Sequence, residues 1–78
     1  MNQDLNRAVG MALRMAVQRF VGQEATPSVC VRIKKAFIQI MREQFGVNWS
    51  RNAWQIQVSF IDGHKPNVHI PPRLLNPH

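Results

Sequence analysis

Cysteine is nearly absent from this chain, acidic residues are few, tyrosine is missing, and no glycine-rich loop precedes a helix. Each scarcity excludes something. With Cys30 as the sole cysteine, no intrachain disulfide forms, and a reducing, cytoplasmic setting is the expected home. Asp4, Glu24, Glu43 and Asp62 are the only carboxylates and share no motif, so paired acid–base catalysis is not expected. Without a glycine loop opening a helix, phosphate cradling of the nucleotide-binding kind has no support. No basic stretch followed by an apolar run opens the chain, and Arg7, Arg14 and Arg19 interrupt the first apolar segment. Neither a signal peptide nor a membrane span is therefore expected.

What is present is a foldable mixture: 45% hydrophobic and 18% charged residues over 78 positions, enough for one small domain and too short for a second core. A chain of this size buries only about two-thirds of its unfolded surface. Self-association is the remaining common source of burial, so a homodimer enters as a hypothesis.

Leu5, Ala8, Val9, Ala12, Leu13, Ala16, Val17 and Phe20 recur at spacings of three and four, which predicts a helix over about 4–21 closed by Gly22. Thr26-Pro27 supplies a capping hydroxyl ahead of a proline whose missing N–H costs nothing in a first turn. A second helix over 27–45 follows, with Val29, Ile33, Ala36, Phe37, Ile40 and Met41 on one face and Gly46 as its stop. The short connection sets the two helices antiparallel.

Beyond residue 52 the period falls to two. Trp54, Ile56, Val58 and Phe60 alternate with polar residues, predicting a half-buried strand over about 53–61. Asp62-Gly63 signals a turn, and a short edge strand over about 67–70 returns, stopped by Pro71-Pro72. Residues 71–78 read as a tail. The expected class is α+β, two antiparallel helices packed on a C-terminal two-stranded antiparallel hairpin, with dimerisation through the strand edges as its further completion.

No reaction motif is found, so no catalytic residue, cofactor or metal is assigned. Cys30 sits one turn into the second helix beside its apolar face, where a small buried hydrophobe is the common outcome. Asp62, His64 and His69 superficially suggest a metal-binding nuclease finger. That pattern needs a following helix to return another ligand, and Pro71-Pro72 intervene, so solvated histidines are the better reading.

Charge points elsewhere. Ten Lys plus Arg against four Asp plus Glu give +6, with arginine dominant, as a phosphate-contacting surface requires. Arg32, Lys34, Lys35 and Arg42 lie on the second helix, and Arg51, Lys65 and Arg73 lie near the hairpin, so all seven are candidate nucleic-acid contacts. Trp49, in the loop before the strand, is either a base-stacking platform or a lid on the core. Helix-turn-helix spacing, the RNA-recognition sheet motif and the GXXG loop are absent, so the signal is compositional. The expected function is a basic, non-enzymatic nucleic-acid-binding (DNA or RNA) or regulatory protein. The competing reading is an interaction module, an inhibitor, adaptor or assembly component, docking on an acidic or other protein through a strand edge or through Met11, Met15, Val31 and Ile38.

Overall fold

The computed structural model describes residues 2–62 and 65–75. Two helices, α1 (Asn2–Gln18) and α2 (Pro27–Phe45), are followed by a 3-10 helix (Ser50–Gln55), an antiparallel hairpin of β1 (Gln57–Ile61) and β2 (Lys65–His69), and a short α3 (Pro72–Leu75). The protein is an α+β domain with two packed helices and a two-stranded sheet.

The ends of α2 are set by local chemistry. Thr26 Oγ1 accepts from the Val29 N–H at 3.2 Å, and Pro27 occupies the first turn. At the other end Gly46 takes a left-handed conformation (φ 70°) and returns its N–H to the Met41 carbonyl, a geometry that strains any residue with a Cβ. The first helix stops at Gln18, short of the expected 21. Its last turn tightens instead, through Arg19 N–H to the Ala16 carbonyl and Phe20 N–H to the Val17 carbonyl, and Val21 is left exposed.

Between the helices the contact is built on small residues. Ala8, Ala12 and Ala16 are the buried positions of α1, four apart on one face, and they join Val29, Ile33, Phe37 and Ile40 of α2 in a single core. Methyl-sized side chains let two helix axes approach closely, with Leu5, Val9, Leu13 and Val17 flanking the seam half-buried.

The largest departure from the periodicity lies between residues 50 and 55. Alternation predicts a strand from about 53 with Trp54 turned to the core; the chain forms a 3-10 helix there, the strand begins at Gln57, and Trp54 is 74% exposed. The hairpin register supplies the reason. Gln57 pairs with His69, Val58 with Val68 and Phe60 with Pro66, so continuing the ladder would set Gln55 against Pro71 and Trp54 against Pro72. Neither proline has an N–H to donate. Residues 50–55 satisfy their backbone locally instead, with Asn48 Oδ1 accepting from Ser50 N–H, Trp49 carbonyl from Asn52 N–H, and Ala53 carbonyl from Ile56 N–H.

Trp49, and not Trp54, is the tryptophan in the core. It is 5% exposed, its ring 6.2 Å from Phe37 at a tilt of 38°. In the expected tail, Leu74 N–H bonds to the Pro71 carbonyl at 2.9 Å, and Leu74 and Leu75 pack half-buried against the core. The return strand spans 65–69 and so starts earlier than expected, with Pro66 inside it. The turn residues Gly63 and His64 lie outside the described residues; Asp62 before them holds φ 56°, which aspartate tolerates.

The two tryptophans should separate cleanly in urea denaturation. Trp49→Ala is expected to cost about 3–5 kcal/mol, the usual range for deleting a buried aromatic. Trp54→Ala should stay within about 0.5 kcal/mol of the parent, as for exposed positions. Equal losses would contradict this placement.

Candidate nucleic-acid interface

The exposed side of α2 carries Arg32, Lys35, Gln39 and Arg42. Lys35 and Arg42 are two turns apart, roughly 10 Å along the axis at 1.5 Å per residue. They line one groove of about 260 Å³ with Gln39, Ser50 and Ala53, over a floor that includes Ile38. One wall of that groove is therefore α2 and the other is the 3-10 helix. Gln39 Nε2 donates to Glu43 Oε1 at 3.1 Å, tying up the carboxylate nearest in sequence to Arg42.

A 3-10 helix repeats every three residues, so positions i and i+3 eclipse and the segment has three faces. Ser50 and Ala53 form the face on the groove. Asn52 and Gln55 form a second, half-buried face. Arg51 and Trp54 form the third, and both are exposed. From α3, Arg73 donates through Nε to Gln55 Oε1 at 3.0 Å and through its terminal Nη2 to the same oxygen. This joins a further arginine to the 3-10 helix and fastens α3 to it.

The seven expected cations are thus not one field. Lys35 and Arg42 share the groove, Arg51 stands on another face of the 3-10 helix that forms its second wall, and Arg73 is bonded to Gln55 of the same helix. Arg32 is exposed on the outer side of α2. Lys34 departs from the set. Two residues after Arg32, it is turned by about 200° around the helix. It lines a separate groove of about 480 Å³ with Ala25, Pro27, Cys30, Val31 and the stretch Ile56–Phe60. Lys65 departs as well, meeting Arg14 of α1 in a third groove of about 420 Å³ alongside Leu13, Val17 and Pro66.

Of the two readings of Trp49, its burial supports the lid on the core, while Ile38 and Cys30 are placed differently from the expectation. Trp49, a stacking candidate, is buried on Phe37 and has no free face to offer a base. Ile38, a docking candidate, is 8% exposed beneath the groove. Cys30 is half-buried at a groove wall, not enclosed in the core. Met11, Met15 and Val31 are exposed. His64 lies outside the described residues, while His69 is exposed on β2 opposite Gln57. Among the described residues no three His, Cys, Asp or Glu side chains come together, and no helix is long and apolar enough to cross a membrane.

Trp54 is the residue that periodicity misassigns. The clue available in the chain was Pro71-Pro72, which denies it a strand partner, together with the Asn48 and Ser50 turn formers just upstream. No family model, curated protein or solved structure matches this chain.

Fluorescence reads this arrangement directly, because the chain has two tryptophans and no tyrosine. Trp54→Phe, which leaves Trp49, should emit to the blue and resist iodide. Trp49→Phe, which leaves Trp54, should emit to the red and be quenched readily. The reverse pattern would exclude the placement of both rings.

Proposed function

We propose that this is a non-enzymatic nucleic-acid-binding or regulatory protein that grips phosphates through Lys35, Arg42 and Arg51, with Arg32 and Arg73 at the margins. The observation that carries the reading is the groove between α2 and the 3-10 helix. Its α2 wall bears Lys35 and Arg42, its 3-10 wall bears Ser50, and Arg51 follows Ser50 in the chain on the next face of the 3-10 helix. Charges scattered over a surface merely solubilise; two cations two turns apart along one wall of a concave strip can contact successive phosphates. No base-reading helix is arranged around them, so affinity should come mainly from the backbone of the polymer. The cytoplasmic location belongs to the same reading and is supported by the lone cysteine.

A second reading has its own observation. Five successive residues, Ile56 to Phe60, line the groove shared with α2, and successive residues point to opposite faces of a strand. That groove therefore follows the backbone edge of β1, the side away from β2. A strand from a second copy of this chain could add there and form a four-stranded sheet across a two-fold axis. Sedimentation at tens of micromolar tests it: a dimer supports the reading and a monomer removes it.

For the preferred function the test is a salt titration of binding to labelled duplex and single-stranded oligonucleotides. Log affinity should fall linearly with log salt. Each of Lys35→Gln, Arg42→Gln and Arg51→Gln should lower the slope by about 0.7–0.9 and weaken binding to all sequences alike. Lys65→Gln, in a different groove, should leave the slope unchanged. Absence of binding at low salt would end the proposal.

A further inference from the structure

The nucleic-acid reading leaves open which form of polymer is bound, and Trp54 bears on that choice. We propose that the ligand is single-stranded nucleic acid, and that the exposed face formed by Arg51 and Trp54 is a platform on which an unpaired base stacks. The inference rests on the phosphate-binding reading above and narrows it.

Exposure alone would say little, since single surface hydrophobes are common. The surroundings of Trp54 are what decide. The ring is 74% exposed on a segment that the structure holds firmly. Trp49, the residue capping the 3-10 helix, is buried on Phe37. Ala53, the neighbour of Trp54, lies against α2 in the groove. Gln55, its other neighbour, is bonded to Arg73. The segment that carries Trp54 is thereby held at Trp49, Ala53 and Gln55, so a ligand meets a largely pre-ordered platform.

The face that carries the ring also carries a cation. Arg51 eclipses Trp54 one 3-10 turn earlier, Arg73 is carried to Gln55, and no carboxylate belongs to the 3-10 helix or α3. Met11, Met15, Val21, Val31 and Ile61, the other large exposed apolar residues, all belong to other elements. A nucleotide needs what is there: a π face for the base, with the Arg51 cation on the same face for a phosphate. In a duplex the base faces are already stacked on one another and are closed to a flat surface residue. An unpaired strand presents them. The groove cations would hold the backbone while Trp54 takes a base, so the two features act on one strand.

The experiment compares the full chain with Trp54→Ala, Trp54→Leu and Trp54→Phe, titrated at low salt against labelled oligothymidylate, oligouridylate and a duplex of equal length. Both single strands should bind more tightly than the duplex and quench the emission of the parent protein. Trp54→Ala and Trp54→Leu should weaken single-strand binding by about 5- to 150-fold, the range measured for one lost base stack. Trp54→Phe should retain most of the affinity, and duplex binding should not change in any variant. Circular dichroism should show all three variants folded, because the side chain is exposed. Single-strand affinity that survives Trp54→Ala, or falls equally for duplex and single strand, would overturn the stacking platform while leaving salt-dependent phosphate binding standing. Binding of none of the three probes would overturn both proposals.

Discussion

The tilted contact between Trp49 and Phe37 is the interaction on which the C-terminal half depends. Phe37 lies in the middle of the α2 core face, fully buried with Ile33 and Met41. When Gly46 reverses the chain, the indole of Trp49 returns over α2 and is enclosed there, removing a large apolar area from water. That burial sets where the 3-10 helix starts. The position of the 3-10 helix then sets the groove beside Lys35 and Arg42, the outward face of Arg51 and Trp54, and the Gln55 side chain that receives Arg73.

Two prolines contribute as much by what they lack. Pro71 falls where the ladder would have to continue, in the phase of the Gln57–His69 pair, and its missing N–H removes the next ladder bond; Pro72 follows and opens α3. The polypeptide on each side then closes on itself, as 3-10 turns before β1 and as a short helix after β2. The two segments meet through the Arg73–Gln55 bonds. A sheet that ends early is thus the condition for an exposed tryptophan and a gathered set of arginines.

The positive charge is organised by the same geometry, more narrowly than composition suggests. Lys34 and Lys35 are adjacent in the chain and line different grooves, because one residue rotates an α-helix by about 100°. Lys65 is close to the candidate set in sequence but joins Arg14 across the α1 side of the hairpin. Net charge is a property of the whole chain. A binding surface is a property of which cations share a wall.

Much was legible without coordinates. The α2 boundaries follow from a threonine-proline start and a glycine stop, signals that act within a few residues of backbone and need no partner. The helical core stripe, the class α+β, the antiparallel hairpin and the outward placement of Arg32, Lys35 and Arg42 follow from periodicity for the same reason. What required the tertiary structure was competition between distant segments. Trp49 and Trp54 are both large apolar candidates for the core, and only Trp49 is buried. The register of a strand that begins at Lys65, and the proline beyond it, limit how far β1 extends and leave Trp54 outside the ladder. Local pattern determined which residues are apolar and which elements form. Only packing decided which tryptophan faces Phe37 and which faces the solvent, because pairing partners far along the chain limit how far each element extends.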